Sequence, residues 1–271
     1  MKIYRFCFAH KTASMFGFKI LKRIADANAV PLYSANNTPP NHGGIARAIK
    51  RDEDNIILFG PERTYKWIPE LEAAINDGHE VYDICQIRHP LDIIVSQYFS
   101  HGWIHPECNW ADTTIRVRRR IQNGEISIFD YAKLELSGET HFADSSVAEK
   151  FSPLDEKFRG EARKVVRYED FYENYEWWAS CVATILPEKF NARELLLDER
   201  PDYSKAVTLE EGVFFENALQ YVEKFGIKSG KHIRSAEPGD HKHFLTPTQI
   251  LYLEKIIFGN SRVLREQYAV D

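Results

Sequence analysis

Ile3-Tyr4-Arg5-Phe6-Cys7-Phe8-Ala9-His10-Lys11-Thr12-Ala13-Ser14-Met15 reads as a buried strand that runs through a short turn into a helix. Residues 3–8 are an apolar run interrupted by Arg5, the pattern of a parallel strand covered on both faces. Residues 15–27 follow with Phe16, Ile20, Ile24 and Ala27 at three-to-four spacing along one helical face. Between them stands His10-Lys11-Thr12-Ala13-Ser14. A helix start presents backbone N–H groups and the positive end of the helix dipole, and Lys11 adds a full charge beside it. The turn therefore suits one phosphate group.

A second segment has the same form. Arg88-His89-Pro90-Leu91-Asp92 closes the apolar stretch 81–87 and leads to Ser96, with Pro90 suited to a first helical position. Two such turns imply a ligand carrying phosphate at two places, which points to a nucleotide. The first turn is not G-x-x-x-x-G-K-[ST]: Lys11 opens it, and the chain has no glycine before Gly17. An ordinary ATP or GTP site is disfavoured.

Further apolar runs at 56–59 and 164–168 also read as buried strands. Helices are expected at 65–76, 113–122, 126–136, 172–186, 192–197, 209–225 and 247–258. Alternating strands and helices predict an α/β protein, a three-layer P-loop NTPase-like fold with a central parallel sheet flanked by helices. No repeat, low-complexity tract or linker marks a cut, so 1–271 is expected as a single domain, with helical acceptor-side segments around 100–160 and 172–226.

A net charge of −5 argues against a protein built to hold nucleic acid. The apolar run at the start falls well short of the roughly 20 residues of a membrane span, and a cytoplasmic protein is expected. Cys7, Cys85, Cys108 and Cys181 show no C-x-x-C spacing and read as packing residues in a reducing compartment. His232, His241 and His243 cluster in sequence without metal-ligand spacing, so no metal site is expected. Arg116, Arg119 and Arg120 share one face of a helix, read as solvated; Trp177, Trp178, Tyr172 and Tyr175 read as packing aromatics.

The chain resembles the sulfotransferases that use 3′-phosphoadenosine 5′-phosphosulfate (PAPS). Four blocks carry the resemblance, in family order: residues 10–15, Arg88 through Ser96, Val166-Arg167-Tyr168-Glu169-Asp170-Phe171, and Arg234-Ser235-Ala236-Glu237-Pro238-Gly239-Asp240-His241-Lys242. The resemblance implies that Lys11, Thr12, Ala13, Ser14 and Met15 hold the 5′-phosphosulfate. It assigns Arg88, Ser96 and Arg234 to the 3′-phosphate and sets Tyr168 beside the adenine. Ala13 and Met15 stand where Gly and Thr are common, and Ser235-Ala236 where Lys-Gly is frequent.

The activity implied is sulfuryl transfer from PAPS to a hydroxyl or amine, leaving PAP and needing no metal. Lys11 then donates to the leaving oxygen, and Glu62, after strand 56–59, is the first candidate for general base, with His10 as runner-up and His101 behind it. A small-molecule, glycan or lipid acceptor fits, and oligomeric state is open. Two readings compete: a catalytically silent PAP-binding module, kept alive by Ala13 and Met15, and an ATP-dependent small-molecule kinase, disfavoured by the missing glycine-lysine turn.

Overall fold

The computed structural model describes residues 1–9, 11–34, 51, 53–60, 68–105, 112–139, 163–204, 206–227 and 237–269. The strands are β1 (Lys2–Phe8), β2 (Leu32–Ser34), β3 (Asn55–Gly60), β4 (Glu80–Ile87) and β5 (Arg163–Arg167). The helices are α1 (Ser14–Ala27), α2 (Ile68–Asn76), α3 (Pro90–Phe99), α4 (Asp112–Gln122), α5 (Ile128–Ser137), α6 (Tyr168–Glu173), α7 (Tyr175–Ala183), α8 (Ala192–Leu197), α9 (Ala218–Phe225), α10 (Pro247–Asn260) and α11 (Arg262–Tyr268).

All five strands are parallel, in the order β2-β3-β1-β4-β5. β1 is central and β3 and β4 flank it: the chain passes from β1 to the edge strand β2, returns to β3, then crosses β1 to β4 and β5 on the other side. Such a reversal opens a crevice at the carboxyl ends of the strands. Side chains of β1 alternate between two covered faces. Ile3 packs with Leu71 and Ala74 of α2 on one of them. Phe8 faces the other way, toward Gly17 of α1 and Trp178 of α7. Helices thus cover both faces of the sheet.

Arg5, inside this buried strand, is 1% exposed. It stands in register with Asp83 of β4, and Arg5 Nε donates to Asp83 Oδ1 at 2.9 Å while Nη2 pairs with Oδ2. A forked guanidinium–carboxylate pair satisfies both charges where water is excluded.

The chain forms two compact units. The first is Met1–Arg88 with Glu156–Pro201 and holds the whole sheet; the second is His89–Asp155 with Asp202–Asp271. An aromatic core fills the second, where Phe99 meets Tyr221 and Phe244, and Tyr98 meets Tyr131 edge-on.

Local chemistry moves several expected boundaries. The helix expected over 172–186 is two, because Asn174 ends α6 and its side chain accepts from Trp177 N at 3.2 Å to start α7. The one expected over 209–225 is confined to α9: Gly212 takes φ 81°, Phe215 N donates to His243 O, and Asn217 caps the helix by accepting from Gln220 N. Tyr168, expected as the end of a strand, is the first residue of α6. β2, α11 and the π-helical turn Ser100–Ile104 were not foreseen. Among the described residues no helix is long and apolar enough to cross a membrane.

Candidate functional site

Register explains how distant residues meet. β1 and β4 pair Phe8 with Gln86, and β4 and β5 pair Ile87 with Arg167. The residues just beyond these three parallel strands, the Lys11 turn, Arg88 and Tyr168, therefore emerge side by side. Arg88 Nη1 donates to Lys11 O at 3.2 Å, and the Arg88 guanidinium lies 4.4 Å from the centre of the Tyr168 ring. Arg88 is 3% exposed, so this cation is desolvated and held against a backbone oxygen and an aromatic face.

Hydrogen bonds from buried groups set the turn. Ala9 N donates to Gln86 O at 2.9 Å, and Thr12 closes a loop on Ala9 O through its N–H at 3.2 Å and its hydroxyl at 2.7 Å. Thr12 is fully buried, and its hydroxyl hydrogen is committed inside the turn. Gln86 Nε2 donates to Thr12 O, while Gln86 Oε1 accepts from Trp178 Nε1 at 2.7 Å. A buried amide with both ends engaged fixes the turn to the sheet and to α7.

Lys11 and Ala13 both adopt positive φ, 64° and 59°. This backbone releases the chain into α1, whose first in-helix bond runs from Gly17 N to Ala13 O at 2.9 Å. Ala13 provides no side-chain cap, so the N–H groups of Ser14, Met15 and Phe16 open the helix without a capping side chain. Gly17 permits the close approach: a Cβ there would sit 2.1 Å from the Phe8 ring. Lys11, Ala13 and Ser14 are half-buried and Met15 is exposed. Lys11, Thr12, Ala13, Ser14, Met15, Arg88 and Tyr168 all belong to the first unit.

Ser96 lies half-buried on α3, in the second unit. Within that unit Asp92 of α3 is fully buried and accepts from Gly239 N at 2.8 Å, His241 N at 3.0 Å and His241 Nδ1 at 2.7 Å. The second and fourth sequence blocks thus touch through Asp92. His10, Glu62 and Arg234 lie outside the described residues.

His101 sits in the π-helical turn, 5% exposed, with Nδ1 2.8 Å from the Tyr131 hydroxyl. That hydroxyl donates to Glu135 Oε1 at 3.1 Å, so the imidazole Nδ1 is the donor in the pair. Burial, then the Glu135 charge, pushes the Tyr131 hydroxyl well above its ordinary range. Arg118 is buried, with Nη1 on the backbone oxygens of His101 and His105, whereas Arg116, Arg119 and Arg120 are exposed. Trp178 is packed at 0% exposure and Trp177 is 47% exposed. Gln86 is the supporting residue that sequence reading missed; an amide inside an apolar strand was its signal.

No family model and no curated protein sequence matches this chain. Solved structures do. The fold is that of the sulfotransferases: mouse sulfotransferase SULT7A1 complexed with PAP superposes with a TM-score of 0.57 over 99% of this chain and 89% of the mouse chain, at 16% identity. A sulfotransferase from Alicyclobacillus acidocaldarius aligns over 96% of this chain and 98% of its own, with TM-score 0.36 and 13% identity.

Proposed function

We propose that the chain transfers a sulfuryl group from PAPS to a hydroxyl or amine of a small-molecule, glycan or lipid acceptor. The observation that carries the reading is the 3.2 Å contact between Arg88 Nη1 and Lys11 O, because it sets the cation that opens the second motif beside the Lys11 turn within the first unit. Further support comes from the fold shared with the PAP-bound mouse enzyme.

In this reading the N–H groups opening α1 and the Lys11 ammonium receive the 5′-phosphosulfate. Arg88, stacked on Tyr168, receives the 3′-phosphate, and the resemblance adds Ser96 and Arg234 to that grip. Sulfuryl transfer is a problem of in-line positioning and charge stabilisation, as phosphoryl transfer is. Lys11 donates toward the leaving oxygen as negative charge gathers there. Glu62 remains the first candidate for the base, His10 the second and His101 the third.

Calorimetric titration with PAP, PAPS, ATP and GTP, followed by labelled-sulfate transfer to a panel of alcohols, phenols, sugars and amines, tests the proposal. PAP and PAPS bind in preference to ATP and GTP, and Lys11→Ala lowers turnover about 10²–10³-fold while weakening PAP far less. Preference for ATP sinks the reading. Tight PAPS binding with no transfer across the panel establishes the silent module instead.

A further inference from the structure

We propose that His89, His241 and Glu254 form a site for one divalent transition-metal ion of the zinc type, built within the second unit and separate in chemistry from sulfuryl transfer. His89 immediately precedes α3, His241 lies in the 3₁₀ turn Asp240–His243, and Glu254 projects from α10. One ligand atom from each falls within 4.8 Å of the others. Nothing in the spacing 89, 241, 254 could reveal this in sequence; the fold alone assembles it.

The protonation pattern suits a cation. Asp92 Oδ1 accepts from His241 Nδ1 at 2.7 Å, so that nitrogen carries a proton and Nε2 is the atom left to ligate an ion. A carboxylate on the far nitrogen of a ligating histidine fixes its tautomer and raises its basicity. Asp92 also accepts from the N–H groups of Gly239 and His241, so the support on α3 fixes the turn that carries the ligand. Two carboxylates, Asp92 and Glu254, face two imidazoles, leaving the cluster anionic whenever both rings are neutral.

One edge of the cluster already matches the ion's size. Zinc–nitrogen bonds of 2.0–2.1 Å in a tetrahedron place ligand atoms about 3.3 Å apart. His89 Nε2 and Glu254 Oε1 already stand 3.3 Å apart. The remaining edges are at most 4.8 Å and must close by up to about 1.5 Å when an ion enters. The two imidazoles lie parallel, 4.5 Å between centroids, and each lone pair lies in its ring plane, so to share one ion with His241 the His89 ring must turn out of the stack and away from Phe258 and Tyr268. Side-chain exposures of 15% for His89, 5% for His241 and 25% for Glu254 make the cluster largely buried, with Glu254 its most exposed member. Two nitrogens and one carboxylate select zinc-like ions over magnesium or calcium, which prefer all-oxygen shells. Three protein ligands leave a fourth position for water, and the ion would tie the turn holding Gly239 and His241 to α3 and α10.

The test uses the full chain, stripped with chelator and titrated with ZnCl₂ by calorimetry and with CoCl₂ by visible absorption. One equivalent binds, cobalt shows the absorption of a four-coordinate complex, and zinc raises the unfolding temperature. His89→Gln and Glu254→Gln each weaken binding at least about tenfold, judged against the scale of metal-ligand support. His243→Gln, whose Nδ1 faces Val213 O, leaves binding unchanged. Should His89→Gln fail to fold, Glu254→Gln decides. Substoichiometric binding, or undiminished affinity in Glu254→Gln, overturns the site. Neither outcome depends on PAPS, so this test and that of sulfuryl transfer fail independently.

Discussion

Ala13→Gly should stabilise the protein. Ala13 sits at φ 59° and ψ 33°, the left-handed region in which a Cβ crowds the following carbonyl. For an L-residue that conformation costs about 1–2 kcal/mol, and glycine escapes it. Glycine in turn gains freedom in the unfolded chain, which costs the fold about 0.4–1 kcal/mol. The difference favours glycine by about 0.5–1 kcal/mol, equivalent to about 1–4 °C for a chain of this size. Urea unfolding should show a higher midpoint with an unchanged slope. Ala29, at φ 52° just past the end of α1, is the control: Ala29→Gly should give a similar gain, since left-handed glycine favours that helix end. PAP affinity should hold or rise in Ala13→Gly and stay constant in Ala29→Gly. If Ala13→Gly lowers stability by more than about 1 kcal/mol while Ala29→Gly raises it, Ala13 is not left-handed and the strained-turn reasoning fails.

Two other consequences are open to measurement. Asp83→Ala removes the carboxylate from a guanidinium that is 1% exposed, and should cost about 3–5 kcal/mol in urea unfolding; a loss under about 1 kcal/mol would show that solvent reaches the pair. Alkaline pH should unfold the protein through its buried phenols. Burial, then the charges of Tyr82 and Glu80, pushes Tyr4 up to about 12; burial raises Tyr98; burial, then Glu135, raises Tyr131; burial, then Glu199, raises Tyr175. A folded-state value raised above the ordinary phenol value near 10 supplies stability that is complete below that pH and lost as pH climbs through the raised values. Tyrosinate absorbance from these four should therefore appear only together with loss of far-UV circular dichroism. All 13 tyrosines ionising in one step near pH 10, with circular dichroism intact, would refute it.

Four of the five strands, β1, β3, β4 and β5, were legible in sequence, β5 although Lys164 is exposed. β1, β3 and β4 announce themselves as apolar runs because water touches neither side of them. β2, three residues long, carries too little pattern, and it exists because Leu32 to Ser34 can pair with Ile57 to Phe59. Polar residues in buried positions were the blind spot. Arg5 looks like an interruption in its strand until the register sets Asp83 opposite, and Gln86 looks neutral until the turn and Trp178 engage both ends of its amide. Neither partner is near in sequence, so no local pattern could name it.

The same limit explains which parts of the site could be read. A lysine at a strand-to-helix turn has a local signature, because the helix start and the charge are neighbours in the chain. That the Lys11 turn and Arg88 lie side by side is a matter of sheet order, and it depends on β1 and β4 being adjacent although β2 and β3 intervene in sequence. Had β3 come between them, Arg88 would lie a further strand spacing, about 4.8 Å, from Lys11. The observed 3.2 Å contact would then be lost, and with it the case for one ligand held at both ends. The proposed grip on one ligand therefore depends on the place of β1 at the centre of the sheet more than on any single motif.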